Sequence, residues 1–227
     1  MNHHDTVTPE QIEAGQAVYT ERLLRWYDFI VLQVSNSWIW KCPTTKLQAW
    51  YNQHVTANHL DVGVGSGYFP DHCTFPADTP RVALMDLNQT ALDYAAKRIA
   101  RYSPATYQRN VLEPVAFADE KFDSIAVNYV LHCVPGTMVS KAVVFDSLKP
   151  LLNPGGVLFG ATLLQGGVKR GLFARWLMSH YNRKGIFCNE QDNLADLETA
   201  LNARFSDVAV EVIGCVALFS GRVQLSS

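Results

Sequence analysis

Three glycines at alternating positions follow a short apolar run, and an aspartate stands two positions before the first of them. These residues are Asp61, Gly63, Gly65 and Gly67. Apolar residues followed by glycines predict a buried strand that ends in a tight turn. Because glycine has no Cβ atom, a ligand can approach the backbone closely there, and N–H groups at the start of the next helix favour an anionic group. The stretch therefore predicts a ligand site at the end of the first strand.

A second acidic residue, Asp86, closes the apolar run 81–85, which predicts the second strand. An acid about 20 residues after a glycine turn is placed to accept hydrogen bonds from ribose hydroxyls. The spacing is not the Gly-x-Gly-x-x-Gly of dinucleotide binders, because Tyr68 stands where that pattern has its last glycine. The sequence also lacks a Tyr-x-x-x-Lys, so a nicotinamide oxidoreductase is disfavoured.

Four segments in the expected order resemble class I S-adenosylmethionine-dependent methyltransferases. Residues 61–67 resemble the first motif, 86–88 the second, 122–132 the fourth, and 153–156 the turn before the fifth strand. The resemblance implies S-adenosyl-L-methionine as cofactor, with S-adenosyl-L-homocysteine as product. It also implies the binding residues: Asp61, Gly63, Gly65 and Gly67 at the methionine end, Asp86 at the ribose, Leu87, Asn110 and Val111 at the adenine, and Asn128 at the sulfonium.

Two residues near the transferred methyl group are candidates for catalysis, His132 and Tyr129. A histidine just past the fourth strand can take a proton from a hydroxyl group near neutral pH. The alternative is a histidine that only packs or forms a hydrogen bond at a helix start. Tyr129 can contact the cofactor or orient a substrate. A carboxylate acceptor needs no base, and Arg183, Lys184 or Lys41 would then bind its charge.

Aromatic residues outside the motifs indicate an apolar or aromatic small-molecule substrate. The candidate substrate residues are Tyr27, Trp38, Trp40, Trp176 and Arg183. The first three belong to a segment that resembles the N-terminal part of ubiquinone/menaquinone-type C-methyltransferases, in which a Tyr-Asp pair precedes a Trp-Lys pair. The alternative is that these aromatic side chains pack one helical layer onto the sheet.

The order of motifs predicts a doubly wound α/β fold, with a mostly parallel seven-stranded sheet and an antiparallel last strand. This is the Rossmann-like methyltransferase fold implied by the resemblance. We predict an N-terminal helical cap and substrate lid over residues 1–56, and a methyltransferase domain over 57–227. An extra segment of about residues 165–192 follows the fifth strand and contains a predicted helix over 172–181. Because ligands bind at the carboxyl ends of parallel strands, we expect this insertion to form a substrate wall.

The predicted function is methyl transfer to oxygen or carbon of a small molecule. Alternatives are a cofactor-binding protein without transfer, and a non-methylating reaction on the same scaffold. A net charge of −2 disfavours a nucleic-acid partner, and no apolar run approaches the length of a membrane span. The five cysteines lack paired spacing, which predicts reduced thiols in a cytoplasmic protein and no metal site. The oligomeric state is left open.

Overall fold

A computed structural model describes residues 28–115, 117 and 120–225. It contains a seven-stranded sheet with the order β3-β2-β1-β4-β5-β7-β6. All neighbouring strands from β3 to β5 are parallel, and β7 is antiparallel to both β5 and β6. This topology confirms the predicted fold. The strands are β1 (Asn58–Val62), β2 (Arg81–Asp86), β3 (Ala105–Gln108), β4 (Phe122–Asn128), β5 (Leu152–Leu163), β6 (Ser206–Ile213) and β7 (Val216–Arg222).

Helices cover the faces and ends of the sheet. A helix with π-type hydrogen bonding, Asp28–Ile39, is the first described element. The α-helices are α1 (Thr44–His54), α2 (Tyr68–His72), α3 (Gln89–Arg98), α4 (Met138–Lys141), α5 (Val143–Leu148), α6 (Leu172–Arg183) and α7 (Leu194–Asn202). Short 3₁₀ turns follow α3 and α5. Asn88 caps α3 by accepting a hydrogen bond from the Ala91 N–H at 3.1 Å, as its position after the second strand predicts.

The sheet brings the ends of its central strands to one edge. β1 and β4 are adjacent and almost fully buried, although both carry polar residues, among them His59 and Asp61 on β1 and Ser124 on β4. β5 approaches β4 so closely that a Cβ atom at Gly160 would overlap the Val127 carbonyl group. Glycine at this position therefore lets the sheet continue without a bulge. Asp61, Asp86 and Asn128 consequently lie at the carboxyl ends of three neighbouring strands.

The segment before β1 differs from the prediction. The sequence predicts a helix from Leu23 to about Ser35, whereas the helix Asp28–Ile39 continues beyond that residue, and α1 was not predicted as a separate helix of the cap. α1 carries only two buried side chains, Leu47 and Tyr51, so it has no continuous apolar stripe that would reveal a helix. The sequence also predicts a helix over about residues 8–24, which would begin at Thr8-Pro9. This helix and the candidate substrate residue Tyr27 lie outside the described residues.

The insertion between β5 and α7 packs against the part of the protein that precedes β1. On α6, Ala174 and Met178 are buried in an apolar cluster with Trp40 and Phe187. The two ends of the insertion meet where the N–H groups of residues 165 and 166 both donate to the Asp192 carbonyl oxygen at 2.9 Å. Because Tyr129 packs against the same cluster, the insertion borders the end of β4.

A buried ion pair holds the insertion to α4. Lys141 Nζ lies 2.6 Å from Asp192 Oδ2 and donates to the Cys188 carbonyl oxygen at 2.7 Å. Both side chains are fully buried, and burial lowers the pKa of Lys141 and raises that of Asp192 to about 6. The ammonium group thus fixes two points of the loop that ends the insertion.

Replacing one partner of this pair should destabilise the protein more than replacing both. Lys141→Met leaves an uncompensated buried carboxylate, and we expect it to lower the free energy of unfolding by about 3–5 kcal/mol. Lys141→Met combined with Asp192→Leu removes both charges and should recover at least half of that loss. Urea denaturation of both variants measures the difference. A double variant less stable than the single one would contradict this account.

Candidate functional site

A cleft opens at the carboxyl ends of β1 and β4. The residues that line it come from the end of β1, the glycine turn, the first turn of α2 and the end of β4. They are Asp61, Gly63, Val64, Gly65, Ser66, Tyr68, Phe69, Asn128 and Tyr129. The lining therefore combines glycine backbone, aromatic side chains and a carboxyl group. This is the arrangement that the first motif predicts.

Both the backbone conformation and close contacts with neighbouring residues require glycine in this turn. Gly63, Gly65 and Gly67 all have positive φ, at 69°, 51° and 71°. A Cβ atom at Gly63 would overlap Val130 Cγ2, whereas one at Gly67 would lie 3.0 Å from Ala95 Cα on α3. Gly63 and Gly65 line the cleft, but Gly67 does not. The structure thus places Gly67 at the contact between the turn and α3, where it lets the helix approach.

Asp61 presents a buried carboxyl group without a positive partner. Only 4% of the residue is exposed, and its Oδ2 atom accepts a hydrogen bond from the Tyr51 hydroxyl at 2.9 Å. Within the described part of the chain, no lysine or arginine forms an ion pair with it. Burial raises the pKa of Asp61 to about 7, and the hydrogen bond from Tyr51 opposes that rise. A cationic group of a ligand would supply the missing charge.

Asp86 lies behind the glycine turn and supports it. Its Oδ1 atom accepts a hydrogen bond from the Asn88 N–H at 2.9 Å. Burial raises the pKa of Asp86, and the backbone N–H groups of Asn88, Gly65, Val64 and Leu87 counteract this by hydrogen bonding to the carboxylate. The carboxyl group therefore joins the end of β2 to the turn, and its role toward a ribose is still a prediction.

The residues predicted to border the adenine lie near the ends of β2 and β3. The Leu87 carbonyl oxygen accepts a hydrogen bond from Gln108 Nε2 at 3.1 Å. Asn110 Oδ1 accepts from the Leu112 N–H at 3.1 Å, so one of its two acceptor positions is already used. Val111 packs against the main core. These three residues surround a different part of the edge from the cleft-lining residues.

Asn128 provides the clearest sign that a ligand belongs in the cleft. Its Nδ2 atom is buried, and within the described part of the chain it has no hydrogen-bond partner. An unpaired buried donor costs about 1–3 kcal/mol, so such groups normally find an acceptor. Together with the uncovered backbone at Gly63 and Gly65, this donor fits the cofactor that the resemblance implies.

His132 does not lie among the cleft-lining residues. Only 4% of it is exposed, and its ring packs against Phe187 and Tyr129 with centroid distances of 4.7 and 5.5 Å. Burial, followed by the charge of Lys141, lowers the pKa of His132 to about 3. The imidazole is therefore neutral at physiological pH, and protonation in this position is strongly disfavoured. The geometry does not support the predicted general base, because the insertion covers the ring.

Tyr129 lines the cleft in a backbone conformation that is unusual for tyrosine. Its φ is 59°, and its hydroxyl donates to Asn36 Oδ1 at 2.8 Å. Asn36 is fully buried, and its Nδ2 atom donates to Thr44 Oγ1 at 3.0 Å. The amide therefore joins the aromatic wall of the cleft to the segment before β1. Tyr129 therefore lies at the cleft, and its role in orienting a ligand stays a prediction.

The candidate substrate residues are not brought together in the described part of the chain. Trp40 is 2% exposed and packs against Phe187, so its side chain belongs to the core. Trp38 and Trp176 are 74% and 56% exposed on the surface, and Arg183 is exposed at the end of α6. None of these four residues lines the cleft. The aromatic lining consists instead of Tyr68, Phe69 and Tyr129.

The most important residues missed by the sequence analysis are Tyr51 and His59. Tyr51 Oη contacts both His59 Nε2, at 2.8 Å, and the Asp61 carboxyl group. A signal for His59 was present, because residues two apart on a strand face the same side and a histidine beside Asp61 would share its environment. Tyr51 comes from α1, and no local pattern connects it to that face.

Two further properties are clear for the described residues. None of their helices is both long enough and apolar enough to cross a bilayer. They also contain no group of three or more histidine, cysteine or acidic side chains that could hold a metal ion.

Comparisons with known proteins agree with the geometry. Residues 60–160 match the family described as a methyltransferase domain. The chain is 37% identical over 215 residues to demethylluteothin O-methyltransferase of Streptomyces thioluteus, covering 95% of this chain and 94% of that protein. It is 40% identical over 209 residues to the physcion biosynthesis cluster O-methyltransferase of Aspergillus chevalieri, covering 91% and 94%. The solved DhpI–SAH complex shares the fold, with 16% identity and a TM-score of 0.70 over 97% of this chain and 100% of that one.

Proposed function

The chain belongs to the class I S-adenosylmethionine-dependent methyltransferases, and we propose that it methylates a hydroxyl oxygen of a small aromatic molecule. The observation that carries this proposal is the cleft, in which bare glycine backbone and a buried carboxyl group face an aromatic wall. The names of these two relatives, both O-methyltransferases, support oxygen over carbon as the acceptor atom.

Each part of the cleft corresponds to a part of the cofactor. We infer that the carboxylate of Asp61 attracts the cofactor's ammonium group, and that the turn at Gly63 and Gly65 lets its methionine end lie against the backbone. The unpaired Asn128 Nδ2 would donate to an acceptor near the sulfur. Gly67 acts indirectly, by packing the turn against α3.

The protein's main contribution to the reaction is positioning. When bound, the cofactor supplies a strongly electrophilic methyl group on a positively charged sulfur. Tyr129 and Phe69 would hold a flat acceptor against that end of the cleft and exclude water. Correct alignment of two reactants contributes roughly 7–11 kcal/mol to rate acceleration, so no dedicated catalytic triad is required.

A histidine base is not part of this proposal. The pKa of His132 is lowered to about 3 by burial, which favours the neutral ring but makes it a poor proton acceptor in this position. An acidic phenol, which is partly ionised before binding, fits such a site better than an aliphatic alcohol. We therefore expect activity to rise with pH through the pKa of the acceptor hydroxyl rather than through that of a histidine.

Transfer of a ¹³C-labelled methyl group tests the function. The purified protein is incubated with labelled cofactor and a panel of phenols, each paired with the analogue that lacks the hydroxyl. We expect label in phenols only, with the carbon chemical shift of a methyl ether. A ring-methyl signal would assign the acceptor to carbon instead. Binding without transfer to any member would favour the alternative of a cofactor-binding protein.

Asp86→Ala tests the predicted ribose contact. Loss of a hydrogen bond to a charged group costs about 1.5–3 kcal/mol, so we expect S-adenosylhomocysteine to bind roughly 10- to 100-fold more weakly. Isothermal titration calorimetry with S-adenosylhomocysteine and with adenosine measures this loss. Because Asp86 also supports the glycine turn, Asp86→Asn serves as the control that keeps an acceptor. An unchanged affinity of the alanine variant would contradict the assignment.

Three further inferences concern the location of the protein, its partners and its N-terminal segment. The five cysteines are all free thiols, which supports a reducing compartment, and we infer a cytoplasmic location. We also infer that no nucleic acid is involved, because the net charge is −2. The helical cap over residues 1–56 stays a proposal, supported by the contact of Asn36 with the cleft-lining Tyr129.

A further inference from the structure

Hydrogen bonds connect a series of buried polar side chains from Asp61 on β1 to Ser124 on the neighbouring strand β4. Tyr51 Oη lies 2.9 Å from Asp61 Oδ2 and 2.8 Å from His59 Nε2. The other ring nitrogen of His59, Nδ1, lies 2.8 Å from Ser124 Oγ on the neighbouring strand β4. These four residues are all buried, and His59 and Ser124 have no exposed surface. Such groups interact more strongly than they would in water.

The direction of the hydrogen bonds follows from counting protons. Tyr51 has a single hydroxyl proton, and it donates this proton to Asp61. The Tyr51 oxygen must therefore accept from His59 Nε2–H, and the unprotonated Nδ1 must accept from the Ser124 hydroxyl. Every donor in the chain then points toward the Asp61 carboxylate. This arrangement stabilises the ionised carboxyl group through three residues rather than one.

The chain has a second arrangement in which every bond is reversed. If Asp61 were protonated, it would donate to Tyr51 Oη, which would donate to His59 Nε2. His59 Nδ1–H would then donate to Ser124 Oγ, and the Ser124 hydroxyl would donate to Thr56 Oγ1 at 2.9 Å. Thr56 Oγ1 has an acceptor of its own, the carbonyl oxygen of residue 58 at 3.1 Å. Both arrangements are therefore satisfied, and they differ in the tautomer of His59.

We propose that Tyr51, His59 and Ser124 are positioning residues that keep Asp61 ionised toward a cationic ligand group, and that the tautomer of His59 changes with the charge on Asp61. The proposal rests on the proposed function only for the identity of the cation, which is the ammonium group of the cofactor. In the ligand-free protein the chain would adopt either arrangement, and binding of the cation would select the first.

The groups around Asp61 determine the pH at which this change occurs. The titratable groups that face it are Tyr51 from α1, Cys73 after α2, Asp86 from β2 and His59 on β1 itself. None of them carries a positive charge, because burial lowers the pKa of His59 to about 3. Burial raises the pKa of Asp61 to about 7 and the charge of Asp86 adds to this, so the change falls near neutral pH.

Binding of S-adenosylhomocysteine as a function of pH tests the positioning role. In the wild type we expect the association constant to be nearly constant between the pKa of Asp61 and that of the ligand's ammonium group, and to fall by up to tenfold per pH unit below pH 7. Tyr51→Phe removes a hydrogen bond that stabilises the carboxylate. The fall should therefore begin about one pH unit higher, with about 5-fold weaker binding at pH 7 and a smaller difference at pH 9.

The matched control is Tyr107→Phe. Tyr107 also donates its hydroxyl to a carboxylate, that of Glu120 at 2.6 Å, but it lies on β3 away from the cleft. This variant should keep the wild-type pH profile. If Tyr51→Phe weakened binding by the same factor at every pH, Tyr51 would be merely structural and the positioning role would be wrong.

A measurement on the unmodified, ligand-free protein tests the chain without any substitution. Long-range ¹⁵N–¹H spectra distinguish the two tautomers of a neutral histidine. We expect His59 to carry its proton on Nε2 at pH 8.5 and on Nδ1 at pH 5.5. One tautomer at both pH values would overturn the coupling between His59 and Asp61. Failure of the wild type to bind S-adenosylhomocysteine would instead overturn the proposed function. The tautomer measurement would still show whether His59 and Asp61 are coupled.

Discussion

Gly63→Ala is expected to destabilise the protein by about 2–4 kcal/mol and to reduce binding of S-adenosylhomocysteine at least 50-fold. Two effects combine at this position. The φ of 69° costs a residue with a Cβ atom about 1–2 kcal/mol, and the added methyl would overlap Val130 Cγ2. Val130 packs against the main core, so relief of the overlap requires a shift of the turn that lines the cleft. Thermal unfolding and calorimetric titration measure the two losses.

Two comparisons separate the causes of this effect. Gly63→Ala combined with Val130→Ala removes the overlap and leaves the backbone strain, so it should bind the ligand better than Gly63→Ala alone. Gly171→Ala is the control for the substitution itself, because Gly171 has a φ of −67° and a Cβ atom there would meet nothing within 4 Å. Wild-type binding by Gly63→Ala would show that the turn is not held against the ligand.

The fold could be predicted from local sequence because its main signals are local. A buried strand, a glycine turn and an acidic residue at the next strand end each occupy a few consecutive positions. The order of the remaining elements followed from the resemblance to the methyltransferase family, because the matching motifs occur in the family's order along the chain. α1 was missed because Leu47 and Tyr51 are its only buried residues, and its packing depends on the strands beneath it.

The candidate site was predictable where the backbone forms it and less so where distant side chains do. The cleft contains Asp61, Gly63, Gly65, Asn128 and Tyr129, as the motifs indicated. The environment of a side chain is different, because it depends on residues far away in the sequence. His132 was a candidate base from its position alone, but Phe187 from the insertion covers its ring.

The sequence also could not show which aromatic side chains line the cleft and which belong to the core or the surface. Trp38 and Trp40 are two positions apart, yet the first is exposed and the second buried, since the chain turns between the helix Asp28–Ile39 and α1. The sequence cannot separate an apolar lining from an apolar core, because both need the same residue types. Only the structure identifies Tyr68, Phe69 and Tyr129 as the aromatic wall.

Asp61→Asn should change ligand binding and stability in opposite directions. Asparagine retains an oxygen that can accept the Tyr51 hydrogen bond but removes the negative charge that a cationic ligand group needs. We expect S-adenosylhomocysteine to bind about 10- to 100-fold more weakly at pH 8, on the scale of a lost hydrogen bond to a charged group. The ligand-free protein should become more stable at the same pH, because a buried charge that has no positive partner among the described residues is removed.

The effect of Asp61→Asn on the stability of the ligand-free protein should depend on pH. Burial raises the pKa of Asp61 to about 7 in the folded state, well above its value of 3.8 when exposed. The folded protein therefore binds more protons than the unfolded chain between these two values, so wild-type stability declines across that range as pH rises. Asp61→Asn has no carboxyl group at this position and so loses no stability through its ionisation. The free energy of unfolding of this variant relative to that of the wild type should therefore increase by up to about 4 kcal/mol from pH 4 to pH 7 and then stay constant.

Urea denaturation at several pH values measures the difference, and the shared titrations of other groups cancel between the two proteins. The control is Asp123→Asn at an exposed carboxyl group on β4, which accepts a hydrogen bond from Asn153. The difference in free energy of unfolding between Asp123→Asn and the wild type should not show this increase from pH 4 to pH 7. If the Asp61→Asn difference stayed flat between pH 4 and pH 7, the carboxyl group would already be ionised without cost. The cleft would then have no need of a cationic ligand.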